Sequence, residues 1–118
     1  MKKLITSTAL VLAAGLADFA QEKSGTFTGE IMDKPCALMQ SHANMMKEEG
    51  AKDARECTLK CVKGGAPLVL FDPVTKKVYS IDNPKKALEY AGQRVQITGS
   101  YDDDAQALHV KSIAAGGK

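Results

Sequence analysis

The chain has 118 residues, with 16 basic and 14 acidic side chains and a formal net charge of +2. This length is enough for one small domain with one modest core, and it excludes two independent domains. The near-neutral balance lacks the excess of lysine and arginine that binding to nucleic acid or to anionic lipid requires, so we expect neither partner.

Residues 1–20 have the pattern of a secretory signal peptide. Two lysines precede the thirteen-residue run LITSTALVLAAGL, which is shorter than the roughly 20 residues of a membrane-spanning helix. Small residues fit cleavage after residue 17, and cleavage after residue 20 is the alternative. The sequence therefore predicts an exported protein, periplasmic or secreted, with no membrane span, in which residues 21–118 form a single domain.

The segment TFTGEIMD at 26–33 alternates as a strand does, with Phe27 and Ile31 on one side and Met32 on the other. A polar insertion follows from 33 to 65, which is too long for a simple loop and must have its own structure or function. It holds all three cysteines, one of the two histidines and, with Met32, four of the five methionines.

Inside the insertion, KDARECTLKCVK at 52–63 predicts a helix that ends at a double glycine. After it, PLVLFD at 67–72 and KVYSID at 77–82 predict a hairpin. NPKKALEYAG at 83–92 predicts a short helix, with an asparagine N-cap, a proline in the first turn and a glycine stop. RVQITGSY at 94–101 and ALHVKSI at 107–113 predict the last two strands, before a frayed tail.

Five short strands with one helix between the third and the fourth are the layout of the OB-fold, a small Greek-key barrel. The sequence thus predicts a mainly β protein, an OB-fold-like barrel with a helical, Cys/His-bearing insertion between strands 1 and 2. Gly29 and Gly99, inside strands, favour a barrel because its sharp bends require missing side chains. An open α+β sheet with the helix on one face is the alternative.

Cys57 and Cys61 are four residues apart on the predicted helix and share one face. Together with Cys36 and His42 they could form a Cys3His site of the kind that binds tetrahedral Zn²⁺. Met45 and Met46 lie close to His42 in sequence, and thioether ligands would favour Cu(I) instead. A pair of methionines is also typical of simple packing on a helix face.

A disulfide is the competing interpretation, because an exported chain enters an oxidising compartment. The bridge would join Cys36 to Cys57 or to Cys61 and leave one thiol over. Cys57 and Cys61 are poor partners for each other, since Cβ atoms at that spacing are roughly 6 Å apart and a bridge needs about 3.8 Å.

Catalytic patterns are weak, and we expect no enzyme. A thioredoxin-like couple needs C-x2-C at a helix N-terminus, whereas this pair has another spacing and lies near the C-terminal end. His109 is predicted to face solvent on the last strand. Apart from metal binding, the function could be a disulfide-stapled module that holds an unknown envelope or extracellular partner on a barrel face bearing Phe27, Tyr79 and Tyr101. Two further alternatives are a thiol redox or copper-handling protein of the cell envelope, and cysteines that are simply reduced core residues.

The runs GEIMDKPCALMQSH, ECTLKCVKGGAPLVLFD, YAGQRVQITGSYD and HVKSI resemble a group of small exported bacterial domains with a D-x-x-C…H…C-T-x-x-C-V-K-x-G pattern. This resemblance covers residues from about 29 to 113 and implies an exported OB-like domain of no established activity. It adds Asp33 to the candidate site residues. Ala37 stands where the pattern has glycine after its first cysteine.

Overall fold

The computed structural model describes residues 23–116, so the predicted leader at 1–20 lies outside the described part of the chain. Over that range it forms five strands and four helices. In chain order these are β1 (Lys23–Asp33), α1 (Lys34–Met39), α2 (Ala43–Glu49), α3 (Ala54–Lys63), β2 (Leu68–Phe71), β3 (Val78–Ile81), α4 (Pro84–Leu88), β4 (Arg94–Asp102) and β5 (Ala107–Ala115).

The strands close into a barrel in the order β1-β2-β3-β5-β4. All neighbouring pairs are antiparallel except β3 and β5, which are parallel and meet over a short stretch. The long first strand closes the barrel because one part of it pairs with β4 and the other with β2. The prediction of an OB-fold-like barrel is confirmed, and the alternative of an open sheet is wrong.

Alternate residues of each strand fill the barrel. Gly29 and Gly99 bring backbones close together, since a Cβ at either position would collide with the backbone of Phe71 or of His109. The strand β4 also shifts register against β5 between Thr98 and Gly99, as a β-bulge does. The inner core consists of Ile31, Leu68, Leu70, Tyr79, Ile81, Ala87, Val95, Ile97 and Leu108.

A second core lies on the outer face of β1 and β2. Met32 points away from Ile31, as the alternation predicted, yet it is only 1% exposed. The insertion covers this face, with α3 packed on β1 and α1 packed on β2. The members of this outer core are Met32, Cys36, Ala37, Cys57, Val69 and Phe71.

Several boundaries differ from the sequence prediction. The helix predicted over 83–92 is α4, which ends at Leu88, and Asn83 makes no side-chain capping hydrogen bond. The predicted frayed tail is wrong at its start, because Ala114 and Ala115 continue β5 and pair with β4. The insertion has two further helices, α1 and α2, before the predicted one. In residues 23–116 no helix has the length and apolarity needed to cross a membrane.

Candidate metal site

Asp33 is the last residue of β1 and the N-cap of α1. Its Oδ2 accepts a hydrogen bond of 3.0 Å from the backbone N–H of Cys36. A carboxylate in this position satisfies an otherwise unpaired N–H of the first helical turn. Because α1 starts directly at the end of the strand, the Cys36 thiol and the Asp33 carboxylate are held side by side.

A tight turn after α1 places His42 near Asp33 and Cys36. Gln40 adopts a left-handed conformation with φ of 57° and ends α1. The backbone N–H groups of Gln40 and Ser41 donate to the carbonyls of Ala37 and Cys36, each at 3.1 Å. The turn thus brings His42 back beside the first turn of α1.

The ring of His42 is oriented by Glu30 on β1. His42 Nε2 and Glu30 Oε1 are 2.9 Å apart, and the histidine side chain is only 11% exposed. With Nε2 engaged by the carboxylate, Nδ1 is the nitrogen left to bind an ion. A carboxylate on the second ring nitrogen is the usual way in which proteins fix the orientation of a metal-binding histidine.

Cys57 lies on α3. Two hydrogen bonds hold the first turn of this helix in place. Asp53 caps the helix by accepting the backbone N–H of Glu56 at 2.8 Å. Arg55 donates to the carbonyl of Glu89 at 3.0 Å, which ties α3 to the turn after α4. The thiol of Cys57 then points into the outer core with no exposure to solvent.

Four side chains converge as a result. The ligand atoms of Asp33, Cys36, His42 and Cys57 all lie within 4.8 Å of one another. The Sγ atoms of Cys36 and Cys57 are 3.9 Å apart. Sulfur ligands about 2.3 Å from a tetrahedral zinc ion lie about 3.8 Å from each other, so the thiols already have the spacing of two zinc ligands.

Two of the four donors are buried without a partner. Among the described residues, three buried side-chain atoms have no hydrogen-bond partner: Asp33 Oδ1, His42 Nδ1 and Thr58 Oγ1. The first two belong to this cluster. A buried acceptor without a donor costs about 1–3 kcal/mol, and a cation bound between the four side chains would satisfy both of these atoms.

The surroundings of the two clustered thiols favour their protonated form. Burial first, and then the contact of the thiol with the Asp33 carboxylate and the negative charge of that group, raise the pKa of Cys36 well above its usual range. Burial also raises the pKa of Cys57, although its hydrogen bond to Cys36 acts in the opposite sense. The hydrogen bond with Glu30 raises the pKa of His42 against the effect of burial. A bound cation must therefore displace protons from the site.

Of the four ligands that the sequence suggested, the structure brings together Cys36, His42 and Cys57. Cys61 lies outside the group of mutually close ligand atoms and is partly exposed at the edge of the outer core. Burial raises its pKa to about 11. The fourth member of the group is Asp33, which only the family resemblance had singled out.

The other candidates have packing roles. Met45 and Met46 are partly buried against the outer core. Phe27, Tyr79 and Tyr101 pack edge to face or tilted against one another, with ring centroids 5.1–6.4 Å apart. Tyr79 belongs to the barrel core, and the other two rings are partly buried against it. All three cysteines are free thiols.

Sequence reasoning missed two polar contacts. No local sequence pattern indicates the contact of Glu30 with His42, because Glu30 lies on a strand twelve residues earlier in the chain. His109 lies on the outer side of β5 as expected, but its Nδ1 is 3.1 Å from Asp82 Oδ2, so it joins β5 to the end of β3. Partial burial acts to raise the pKa of Asp82, but the hydrogen bonds from the Val110 N–H and from His109 outweigh it and lower this pKa.

Two surface cavities, of about 530 and 410 Å³, lie elsewhere on the protein. The larger follows β1, β4 and β5, and the smaller lies between the end of α3 and α4. Neither is lined by any of the four clustered side chains. Comparisons with protein-family models, with curated proteins and with solved structures gave no match.

Proposed function

We propose that this protein is an exported, non-enzymatic OB-like domain that binds one transition-metal ion through Asp33, Cys36, His42 and Cys57. The main support is the pair of buried acceptors, Asp33 Oδ1 and His42 Nδ1, that lack partners beside two thiols at 3.9 Å. Buried polar groups normally have partners, and an ion supplies the missing one for both atoms.

The donor set favours Zn²⁺. Two thiolates, an imidazole and a carboxylate are all common zinc ligands, and their spacing suits a tetrahedron. Cu(I) is the alternative, but it prefers sulfur and has little affinity for a carboxylate oxygen, so Asp33 argues against it. The ion would lock α1, α2 and α3 onto the outer face of the barrel, because its ligands come from three separate segments of the insertion.

Four protein ligands around one ion leave no open position for water or substrate. Closed sites of this kind stabilise structure, whereas catalytic zinc sites keep one position free. The cluster is buried and none of its four side chains lines either surface cavity, which supports the same conclusion. We therefore assign the ion a binding role that stabilises the insertion.

The test is metal binding by the purified chain. Native mass spectrometry should find one zinc ion per chain, and the cobalt form should have the d–d absorption of a tetrahedral site with a sulfur-to-cobalt charge-transfer band. Asp33→Asn keeps a good helix N-cap but loses the charged ligand, so it should weaken zinc binding at least tenfold. Cys61→Ser should bind zinc as the natural protein does.

Two results would overturn the proposal. A chain that binds no zinc under reducing conditions would remove the site altogether. The second result is that Cys61→Ser loses zinc while Asp33→Asn binds it fully. In that case Cys61, and not Asp33, would be the fourth ligand of a Cys3His site.

A further inference from the structure

Cys36 and Cys57 are close enough to react with each other. They come from α1 and α3, are 21 residues apart in the chain, and have no exposure to solvent. Their sulfurs are 3.9 Å apart, while a disulfide needs about 2.05 Å, so a closure of about 1.9 Å would form the bond. The third thiol, Cys61, is outside this pair and partly exposed.

We propose that Cys36 and Cys57 form a redox couple whose dithiol form binds the metal ion and whose disulfide form releases it. This inference rests on the proposed metal site. It makes metal binding dependent on redox state, because the two sulfurs are ligands in the dithiol form and are bonded to each other in the disulfide form.

The oxidant is a small-molecule disulfide. Because both thiols have no exposure to solvent, the exchange takes place during transient local opening of the insertion. In the metal-free chain the Cys36–Cys57 bond forms and the S–S bond of the oxidant breaks, and the two thiol protons and two electrons pass to the oxidant, which becomes two thiols. In the metal-loaded chain the two thiolates supply the electrons, two protons come from solvent, and the divalent ion leaves as the hydrated cation.

Oxidation removes half of the donor set. Asp33 and His42 remain, and two donors do not make the closed four-ligand site that holds zinc. Binding to the dithiol alone must in turn stabilise the reduced form. For this two-electron couple, each tenfold rise of free zinc above its dissociation constant should raise the midpoint potential by about 30 mV.

The experiment uses the full chain equilibrated in glutathione buffers of graded potential, then alkylated and measured as intact mass. Without metal, oxidation should remove two of three alkylation sites, and peptide mapping should find the Cys36–Cys57 bridge with Cys61 alkylated. With buffered zinc, the midpoint should shift by about 30 mV per tenfold increase. Cys61→Ser should form the same bridge and have the same zinc-dependent shift of the midpoint as the natural chain. Cys36→Ser should form no intramolecular bridge that includes Cys57.

A variant separates this inference from the metal proposal. His42→Ala keeps both thiols but loses a ligand, so it should still form the bridge and lose most of the zinc-dependent shift. If the metal-free chain forms no bridge, or bridges Cys61 instead, the redox inference fails while zinc binding under reducing conditions still stands. The redox inference also fails if the chain binds zinc but the midpoint potential of the bridge does not change with zinc concentration. Failure of zinc binding itself is measured separately, by native mass spectrometry under reducing conditions.

Discussion

The two carboxylate oxygens of Asp33 have different surroundings. Oδ2 caps α1, while Oδ1 is buried beside His42 and the two thiols without a partner. Glu30 contacts His42 Nε2, which leaves the buried Nδ1 as the nitrogen available to an ion. The strength of the site should therefore depend on protonation and on the residue behind the histidine.

Zinc affinity should rise steeply with pH. The raised pKa values of Cys36 and Cys57 keep both thiols protonated near neutral pH in the metal-free protein. Each proton that the ion displaces adds about one to the slope of log affinity against pH, so we expect a slope of about two. The slope should steepen as pH falls through the raised pKa of His42. Competition with a chromophoric chelator measures it, and a flat profile would mean that these thiols do not bind the ion.

Glu30→Gln should weaken zinc binding by about 10–100-fold, which is the usual effect of removing a carboxylate behind a ligating histidine. The side chain keeps its size, so the fold should be unaffected. The control is Glu48→Gln, an exposed carboxylate of α2 with the same change of charge. Equal affinities for the two variants, measured by chelator competition, would show that Glu30 only pairs with His42 and has no effect on the ion.

At the scale of elements, the three insertion helices depend on their neighbours to different degrees. The seven-residue helix α2 has no fully buried residue. Its first residue follows His42, and Lys60 of α3 donates to the carbonyl of Glu49 at its end. In contrast, α3 is held against the turn after α4 by Arg55 and by the close approach of Gly92.

Zinc should protect α2 from hydrogen exchange. With few contacts of its own, this helix should open easily in the metal-free chain, and a ligand bond at His42 should close it. We expect slower exchange of amides in Ala43–Glu49 on adding zinc, and unchanged exchange in β4 and β5. His42→Ala should lose this effect. Equal protection of α2 with and without zinc would contradict the prediction.

Gly92→Ala should be more harmful than Gly50→Ala. Both glycines have positive φ, 73° and 66°, so each substitution carries a backbone cost of about 1–2 kcal/mol. Only at Gly92 would the added Cβ also collide, with the backbone of Ala54 and Arg55. We expect this variant to shift α3, lower the free energy of unfolding beyond the control, and weaken zinc binding through Cys57. Equal stabilities in urea unfolding would contradict the proposed contact.

For the whole molecule, two cores share the strands β1 and β2. Leu70 points into the barrel and Val69 points into the outer core, and both are almost fully buried. The barrel core draws on every strand, whereas the outer core depends on the insertion. Removal of the proposed ion should therefore loosen the outer core and leave the barrel folded.

Leu70→Ala should cost about 2–5 kcal/mol in the free energy of unfolding, because it opens a cavity in the barrel core, to which none of the four clustered residues belongs. Val74→Ala is the control, since that side chain is 81% exposed and its loss should change stability by less than about 0.5 kcal/mol. Urea unfolding followed by far-ultraviolet circular dichroism measures both. A Leu70→Ala chain as stable as the control would contradict this assignment of the core.

The sequence by itself predicted the barrel, its five strands and the helix between the third and fourth, because alternation, turn residues and caps are local signals. It also predicted three of the four clustered side chains, because chemistry-bearing residues were concentrated in one insertion. It could not choose between Cys61 and Asp33. Residues four apart on a helix can bind one ion, so only the packing of α3 against α1 and β1 decides that Cys57 joins the cluster while Cys61 lies at the edge of the outer core.

Tertiary structure alone decided where the insertion lies and which side chains meet there. The insertion covers the outer face of β1 and β2, which buries both sides of these strands and brings α1 and α3 together. The spacing of Cys36 and Cys57 and the support of His42 by Glu30 follow from that packing. These contacts join residues 12 to 21 positions apart, and no periodicity in the chain encodes them.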